Sequence, residues 1–383
     1  MPAADVDTET ETSTLKEEKS SIEEESSTEE ESSTEEELLE KQITTILQKM
    51  TLEEKVYQMF IVTPEALTGY KTVTAAGTAT KDALNRYPVG GIIYFAKNLL
   101  NEAQTTKMLS NTQSYAKERS GLPIFLCVDE EGGRVARIGN NSGFNVPKVA
   151  AMQTIDSENA AYEAGATIGS YLSRLGFNLD FAPDTDVITN PLNSVIGDRS
   201  FGTDPDIVTR YGTAYSNGLH NYGIFSVFKH FPGHGATEGD THEGFAYTNK
   251  TYEELKKSEL IPFASAAESG IDLVMVAHIS VPGIVGDNTP CTLSYRMITE
   301  ILREDLGYDG LIITDAMNMG AITKKYSSET ATVMAVKAGA DLILMPEDFL
   351  RAAESVLDAV KKGEISENRI DESVRRIIKA KIR

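Results

Sequence analysis

Short apolar runs alternate along this chain with longer stretches in which apolar residues recur at helical spacing. The runs are six or seven residues long and lie at 57–63, 90–95, 123–129, 178–184, 226–231, 272–278, 310–315 and 341–346. Runs this short and this apolar are typical of strands that are buried on both faces of a parallel sheet. The pattern therefore predicts eight strands in parallel arrangement.

The segments between the runs predict helices. Examples are "AYEAGATIGSYLSRLG" (161–176) and "ETATVMAVKAGA" (329–340). Eight strand–helix alternations predict the α/β class and a single (β/α)8 TIM-type barrel, with a doubly wound open sheet as the alternative. An open sheet has no particular reason to stop at eight strands. Near the start of this region, Thr51 followed by Glu54 predicts the capped N-terminus of a helix.

The first 37 residues have a different character. They repeat the unit EEESST over Glu23–Glu37, and residues 1–40 hold sixteen acids against two lysines, a net charge of −14. Such a segment cannot bury a core and its like charges repel. We therefore predict a disordered acidic tail or stalk over 1–37 and a folded domain, the (β/α)8 barrel, over 38–383. Whether the tail is a spacer or a solvated end without a specific role stays open.

Composition excludes several function classes. The rest of the chain carries only −8 of the total −22, so nothing favours binding to a nucleic acid backbone. No apolar run approaches the length of a transmembrane segment, and no signal peptide is visible. Two cysteines, Cys127 and Cys291, do not make a disulfide framework. We expect no metal and no cofactor.

Ionisable residues follow six of the eight apolar runs. In a barrel, the carboxyl ends of the strands carry the catalytic groups, so these positions predict a polar pocket. Taken singly, an acid after a strand is often a helix cap or a turn residue, and that alternative stays open for Asp184, Glu347 and Asp348. The full set is Asp129, Glu130, Glu131, Asp184, Asp186, Lys229, His230, His278, Asp315, Glu347 and Asp348.

Asp315 stands out among these acids. In "GLIITDAMNM" it directly follows a run of apolar residues, which places one carboxylate at the mouth of the predicted barrel. A carboxylate held in that way can attack a carbon centre or stabilise a developing cation. The alternative is that Asp315 caps the following helix.

Three of the five histidines lie in "KHFPGHGATEGDTH" (229–242). His230 and His234 are separated by Pro232 and Gly233, so they do not share a helix face, and no cysteine is near. A metal site is therefore the minor alternative for this stretch. His242 lies eight residues after His234, and a role other than metal binding is predicted for it.

Asp240 and His242 are two residues apart and point the same way if the loop is extended. Asp240 can then orient the imidazole, and the pair becomes a general acid/base. The glycine-rich segment from Gly233 to Gly244 predicts a flexible loop that closes over a substrate. A polar surface loop without a catalytic role is the alternative.

Four motifs carry a resemblance to a known family. The chain resembles glycoside hydrolase family 3 β-N-acetylglucosaminidases of the NagZ type over about residues 45–383. The motifs are "VDEEGGRVAR" (Val128–Arg137), "VIGDRSFG" (Val195–Gly202), "KHFPGHGATEGDTH" (Lys229–His242) and "ILREDLGYDGLIITDAMNM" (Ile301–Met319).

The resemblance implies roles for particular residues. Asp315 would be the nucleophile, and His242 would be the acid/base with Asp240 as its partner. His234 would shape the loop, and Glu130 stands where many relatives have glutamine, which adds a negative charge near the pocket. The residues implied to bind the sugar are Asp129, Arg137, Arg199, Lys229 and His230.

The function implied by the resemblance is that of a retaining exo-β-N-acetylglucosaminidase. It would release non-reducing terminal N-acetylglucosamine from peptidoglycan or chitin fragments through a covalent intermediate. The alternatives are a β-glucosidase-like enzyme, a β-N-acetylglucosaminide phosphorylase and a non-catalytic sugar-binding protein of the cell surface. The carbohydrate is the one partner we expect, and we expect a monomer.

The tail adds an expectation about location. Its composition resembles the stalk that follows the lipid-anchoring cysteine of bacterial surface lipoproteins, although no such cysteine stands in the tail. We therefore expect an extracellular or cell-surface protein with a lipid anchor upstream of this chain. A cytoplasmic enzyme is the alternative.

Overall fold

The computed structural model describes residues 34–241, 244 and 246–382. Most of the predicted tail, residues 1–33, lies outside the described residues, and so does His242. The chain divides into two units, Met1–Lys49 and Met50–Arg383. In the first unit, residues 34–49 form a helix, α1, so residues 34–37 are helical where composition predicted disorder. The physical reason is that glutamate, which occupies 35–37, is a good helix former.

The second unit alternates strands and helices, as the apolar pattern predicted. In its described residues the strands are β1 (Phe60–Val62), β2 (Gly91–Ile93), β3 (Phe125–Val128), β4 (Glu130–Gly132), β5 (Val135–Ala136), β6 (Leu179–Asp180), β7 (Val227–Phe231), β8 (Leu273–Val276), β9 (Leu311–Thr314) and β10 (Ile343–Leu344). All but β4 and β5 fall within the eight predicted runs. The α/β class is confirmed.

Helices follow most of these strands. The described ones are α2 (Leu52–Gln58), α3 (Pro64–Thr68), α4 (Thr78–Arg86), α5 (Glu102–Ser120), α6 (Glu158–Leu175), α7 (Pro205–His220), α8 (Tyr252–Leu255), α9 (Ile261–Glu268), α10 (Pro282–Val285), α11 (Gly320–Thr323), α12 (Ser328–Ala338), α13 (Phe349–Lys361) and α14 (Glu367–Ile382), together with a π-helix at Arg296–Asp305.

The strands pair in parallel in two groups. One sheet has the order β10-β1-β2-β3-β6 and the other has the order β7-β8-β9. Single parallel bridges also join Leu179 to Phe225 and Ile313 to Leu342. The strands β4 and β5 form a separate antiparallel hairpin. Because the long sheets are parallel, the carboxyl ends of their strands meet at one edge.

The start of the folded unit shows one correction to the strand prediction. The predicted capping box is present, since the Thr51 hydroxyl accepts from the Glu54 N–H at 3.2 Å and the Glu54 carboxylate accepts from the Thr51 N–H at 3.0 Å. The helix that begins there continues through Tyr57 and Gln58, which the apolar pattern assigned to a strand. A short apolar run does not distinguish a buried helical turn from a strand.

Two glycines let α6 and α7 pack closely. A Cβ on Gly165 would lie 2.0 Å from the Tyr215 carbonyl oxygen, and one on Gly218 would lie 2.3 Å from the Tyr162 carbonyl oxygen. This close approach brings Tyr171 of α6 and Tyr215 of α7 beneath the β4–β5 hairpin. The Tyr215 hydroxyl donates there to the carbonyl oxygens of Glu130 and Glu131, both at 3.3 Å. The helix pair thus supports the hairpin from below.

A lysine is buried near the amino ends of the strands. The Lys381 ammonium donates to the Gln58 side-chain oxygen and to the Gly90 carbonyl oxygen, both at 2.8 Å, and lies 5.0 Å from the centre of the Phe125 ring. Burial lowers the pKa of Lys381 to about 7 from its ordinary 10.5. The charged form is therefore costly in the folded protein.

We expect this lysine to make stability depend on pH in a defined direction. Between the folded pKa near 7 and 10.5, the unfolded chain binds a proton that the folded chain does not, so the free energy of unfolding rises with pH. From pH 7 to pH 9 this contribution is about 2 kcal/mol. Urea unfolding of the wild type and of Lys381→Met at both pH values measures it. A stability difference between the two proteins that stays constant with pH contradicts the prediction.

Candidate active site

A cavity of about 460 Å³ opens at the carboxyl ends of the strands, within the usual size range of small-molecule sites. It brings together six of the residues implied to act on the sugar: Asp129, Arg137, Arg199, Lys229, His230 and Asp315. The remaining wall is Ile93, Phe95, Glu131, Arg134, Val135, Val195, Met275, Ala316, Asn318, Met319, Leu344 and Met345. Residues from distant parts of the sequence therefore meet in one place.

The chain after β3 folds back over the strand end and places a cation beside an acid. Asp129 follows β3 directly, and the β4–β5 hairpin returns the chain so that Arg137 faces it. An Nη2 atom of Arg137 lies 3.5 Å from Asp129 Oδ2, and the guanidinium lies 5.9 Å from the centre of the Phe95 ring. Both side chains are only partly exposed, which leaves polar atoms for a ligand.

Two neighbouring glutamates on β4 point in opposite directions. Strand geometry sends successive side chains to opposite faces. The Glu130 carboxylate turns away from the cavity and accepts from the N–H groups of Ile138 at 2.8 Å and Gly139 at 2.7 Å, and from the Tyr171 hydroxyl at 2.8 Å. Burial raises the pKa of Glu130. The expected extra charge near the pocket therefore lies behind the hairpin, where it holds the backbone that follows Arg137.

Glu131 lies on the cavity side of the same strand. Its two carboxylate oxygens each accept from the Arg199 guanidinium at 2.8 Å, and Lys229 Nζ lies 2.6 Å from one of them. Burial alone would raise the pKa of Glu131, but the two cations outweigh it and the pKa is lowered. The pKa values of Arg199 and Lys229 are raised in return, because their carboxylate partners outweigh desolvation.

The sequence named Glu131 only as one of several acids after β3, and not as a site residue. Its position at a strand end, one residue beyond Glu130, was the available signal. Which of the two glutamates faces the cavity depends on the register of the β4–β5 hairpin, where Glu130 pairs with Ala136 and Gly132 with Val135. That register is a tertiary feature, so spacing alone did not separate them.

His230 is held by buried acids. Its Nδ1 lies 2.7 Å from Asp186 Oδ2, and its Nε2 lies 3.5 Å from an Arg199 nitrogen. Burial and the Arg199 charge lower the pKa of His230 to about 4, so the ring is neutral near pH 7. Asp184 lies beside the pair, and burial together with the Asp186 charge raises its pKa to about 7. The imidazole can then use Nδ1 toward Asp186 while Nε2 faces the cavity.

The same three residues are the one group of metal-ligand type among the described residues. Atoms of Asp184, Asp186 and His230 lie within 4.8 Å of one another. An Arg199 nitrogen already lies 3.4 Å from Asp184 Oδ2, and Asp186 is engaged by His230. The Arg199 side chain thus supplies positive charge beside these acids, where a metal ion would otherwise supply it. The two carboxylates hold His230 and Arg199 in place.

Asp315 follows β9, and the backbone N–H of the next residue orients its carboxylate. Its Oδ1 accepts from the Ala316 N–H at 2.7 Å, and His278 Nε2 lies 2.9 Å from the Ala316 carbonyl oxygen. Met319 is the residue that caps α11, so Asp315 does not cap that helix. His278, which the sequence marked as a polar strand end, is buried and holds the backbone beside Asp315.

The loop after β7 is tied at its base and near its tip. Glu238 and Tyr247 exchange two backbone hydrogen bonds of 3.1 Å. Further out, the Thr241 carbonyl oxygen accepts from the Ala321 N–H at 3.0 Å. Asp240 is partly exposed and does not line the cavity, and His242 lies outside the described residues. The described part of the loop therefore contacts the segment that follows Asp315.

His234 connects this loop to the acids behind His230. Its backbone N–H donates to Asp186, and its ring nitrogens Nδ1 and Nε2 lie 3.0 Å from the Thr237 hydroxyl and 3.3 Å from the Thr241 hydroxyl. Burial lowers the pKa of His234 to about 4. A neutral, buried ring with two hydroxyl partners has the contacts of a loop-shaping residue.

The cavity lining also has an apolar part, and one of its residues has an unusual backbone conformation. Met345 has a φ of +48°, in the left-handed region, and its N–H donates to the Ile61 carbonyl oxygen at 2.8 Å. Non-glycine residues seldom adopt this conformation, and such positions cluster at functional sites. With Phe95 and Leu344, Met345 provides the apolar surface against which the less polar face of a sugar ring can pack.

Comparison with known proteins extends over most of the chain. Residues 51–380 match the family described as "Glycosyl hydrolase family 3 N terminal domain". Beta-hexosaminidase A of Pseudoalteromonas piscicida is 34% identical over 326 residues, covering 78% of this chain and 54% of that protein. Beta-hexosaminidase LpqI of Mycobacterium tuberculosis is 35% identical over 266 residues, covering 67% of each.

A solved structure shows the same similarity in three dimensions. A glycoside hydrolase family 3 beta-N-acetylglucosaminidase from Paenibacillus sp. str. FPU-7 superposes with a TM-score of 0.81 at 39% identity. The match covers 87% of this chain and 62% of that one. The chain thus spans a little over half the length of two of these relatives.

Proposed function

We propose, since the chain belongs to glycosyl hydrolase family 3, that it is a retaining exo-β-N-acetylglucosaminidase acting on fragments of peptidoglycan or chitin. The observation that carries this proposal is the cavity that Asp315 shares with the five residues implied to bind the sugar, which are Asp129, Arg137, Arg199, Lys229 and His230. The names of the hexosaminidase relatives support the substrate class.

The polar side of the cavity suits an uncharged sugar. Sugar hydroxyls both donate and accept hydrogen bonds, so they match carboxylate acceptors that alternate with guanidinium and ammonium donors. Asp129 with Arg137, and Glu131 with Lys229, provide such alternating pairs. Each cation here remains paired with an acid, so the hydroxyls replace water without leaving a buried charge alone.

In the first chemical step, we propose that an Asp315 oxygen attacks the anomeric carbon. The bond from that carbon to the leaving oxygen breaks as His242 donates a proton to it, which leaves a covalent ester on Asp315. The hydrogen bond from the Ala316 N–H to Asp315 Oδ1 supports this role, since it helps to hold the carboxylate in place at the cavity wall. Asp240 would orient the His242 imidazole.

In the second step, neutral His242 accepts a proton from water, and the water oxygen attacks the same carbon. The ester bond breaks, Asp315 becomes a carboxylate again, and the sugar leaves with retained configuration. Most retaining glycosidases use two carboxylic residues, and we propose a histidine in the place of the second. Imidazole exchanges protons near neutral pH without acquiring negative charge.

We infer that the strands form a closed (β/α)8 barrel. The two parallel bridges, Leu179 to Phe225 and Ile313 to Leu342, support this inference because they connect β6 toward β7 and β9 toward β10. The order within the two sheets then continues around a ring of eight strands. Closure would place every polar strand end around one mouth.

Hydrolysis is favoured over phosphorolysis by the charges of the cavity wall. Four cationic side chains line it in the described residues, and each lies within 4 Å of a carboxylate: Arg134 with Asp198, Arg137 with Asp129, Arg199 with Glu131, and Lys229 with Glu131. The cations that would bind a phosphate are therefore already paired with carboxylates. Water has no such requirement.

Two aryl substrates test the proposed function. The wild-type protein should release the aryl group from β-N-acetylglucosaminide faster than from β-glucoside, with free sugar as product in the presence and absence of phosphate. A preference for the glucoside would favour the β-glucosidase-like alternative, and sugar 1-phosphate as product would favour the phosphorylase. No turnover of either substrate would favour the remaining alternative, a non-catalytic sugar-binding protein.

The tie between His234 and Thr241 gives a further prediction. Thr241→Val keeps the shape of the side chain but removes the hydroxyl that meets His234 Nε2, so the segment that carries Asp240 and His242 is held less well. We expect kcat/KM on a substrate with a poor leaving group to fall about tenfold, because small misplacement of a proton donor is costly. Thr241→Ser, which keeps the hydroxyl, is the matched control.

The comparison is made on phenyl and dinitrophenyl β-N-acetylglucosaminides. Valine should impair the phenyl substrate more than the dinitrophenyl substrate, whose departure needs little proton donation. Equal losses on both substrates, or equal effects of valine and serine, would show that Thr241 contributes to stability alone.

We propose an extracellular or cell-surface location as well. The acidic low-complexity composition of residues 1–37 supports it. Within the described residues, no helix combines the length and the apolarity needed to cross a membrane. Protease treatment of intact cells tests the location, since a cytoplasmic enzyme would be protected from digestion.

A further inference from the structure

One buried carboxylate holds two buried cations together in this cavity. The side chains of Glu131 and Lys229 are 2% and 3% exposed and that of Arg199 is 13% exposed. Glu131 contacts both cations within 2.8 Å, whereas their other acidic neighbours are farther away: Asp184 lies 3.4 Å from Arg199 and Asp129 lies 3.7 Å from Lys229. Glu131 is therefore the main counter-charge of the pair.

A guanidinium and an ammonium that converge on one point form an arrangement that anions recognise. Here the point is occupied by the protein's own carboxylate. If its charge were removed, two partly compensated cations would face a cavity large enough for an inorganic anion. The same cations would then attract anions to the position at which we propose that sugar hydroxyls bind.

We propose that Glu131 is a specificity-determining residue, whose internal carboxylate reserves Arg199 and Lys229 for uncharged sugar hydroxyls and excludes inorganic anions such as phosphate. This inference rests on the proposed function for the identity of the sugar. The exclusion of anions is a property of the three side chains themselves, so it can be measured without turnover.

Calorimetric titration with inorganic phosphate tests the proposal directly. Glu131→Gln keeps the size of the side chain and removes its charge, and we expect it to bind phosphate at least about tenfold more tightly than the wild type. N-acetylglucosamine should displace that phosphate. Glu131→Asp, which keeps a carboxylate, should retain weak phosphate binding.

The neighbouring residue provides a matched control. Glu130→Gln makes the same chemical change in a buried glutamate that points away from the cavity, toward Ile138, Gly139 and Tyr171. Its phosphate affinity should equal that of the wild type. Unchanged affinity in Glu131→Gln, or an equal gain in Glu130→Gln, would overturn the proposal.

If Glu131→Gln does not fold, measurements on the wild type alone still test the proposal. Phosphate at tens of millimolar should neither displace N-acetylglucosamine nor raise KM competitively. Competitive displacement would overturn the proposal. Absence of turnover by the wild type on every aryl glycoside would instead count against the proposed function, which separates the two failures.

Discussion

Replacing Asp315 by asparagine lowers kcat/KM for aryl β-N-acetylglucosaminide by about 10⁴-fold or more, the scale expected when an attacking nucleophile is removed. The substitution keeps the shape of the side chain beside Ala316 but removes its negative charge and nucleophilicity. Steady-state kinetics on wild type and variant measure the loss. Binding of N-acetylglucosamine should change far less, because eight other polar or charged residues line the same cavity.

Asp348→Asn is the matched control for this result. Asp348 lies in the segment between β10 and α13, and its carboxylate caps α13 by accepting from the Arg351 N–H at 3.1 Å. Asparagine is also a good N-cap, so activity should be retained.

Azide distinguishes a nucleophile from a residue that merely stabilises charge. In Asp315→Gly the carboxylate is absent, and azide should restore turnover by attacking from the face that the carboxylate leaves open. The product should then be the α-glycosyl azide, with inverted configuration. Activity of Asp315→Asn near the wild-type value, or a β-azide product, would contradict the nucleophile assignment.

Replacing His242 by alanine should impair substrates in proportion to how much proton donation they need. General acid catalysis contributes about 10²–10⁴-fold, so we expect a loss of this order on phenyl β-N-acetylglucosaminide and a far smaller one on the dinitrophenyl substrate. A series of aryl leaving groups measures this as a steeper dependence of rate on leaving-group pKa. His242 lies outside the described residues, so the prediction rests on the spacing to Asp240 and on the family motif.

Two observations control and challenge this second prediction. His220→Gln alters a histidine near the amino ends of the strands, where it pairs with Asp272 at 2.6 Å, and should leave the leaving-group dependence unchanged. Azide added to His242→Ala should yield the β-glycosyl azide, because Asp315 still forms the covalent intermediate. Equal losses on good and poor leaving groups would exclude His242 as the proton donor.

The apolar pattern predicted the α/β alternation because strands buried on both faces of a parallel sheet need continuous apolar residues. All eight predicted runs contain a strand. The strand prediction was wrong at Tyr57 and Gln58, which end α2. Buried helical turns and buried strands contain the same kinds of residue, so the apolar pattern does not distinguish them. The capped start at Thr51 was predicted correctly because a capping box depends only on residues close in sequence.

The sequence predicted part of the membership of the candidate site but not its arrangement. Six of the implied residues line one cavity, because parallel strands bring their carboxyl ends together whatever lies between them in sequence. The opposite directions of Glu130 and Glu131 depend on the register of a hairpin. Their side-chain partners come from α6, from the segment before α7 and from β7, all distant in sequence.

The sequence by itself determined which residue types stand at the strand ends, and with them the chemistry available to the protein: one carboxylate after β9 and a histidine two residues from an acid. Only the tertiary structure decided how the charges are shared. It placed Glu131 between Arg199 and Lys229, Glu130 behind the hairpin, and His234 between Asp186 and Thr241. The physical reason is that the energy of a buried charge depends on its distance to other charges, and those distances are set by packing rather than by spacing along the chain.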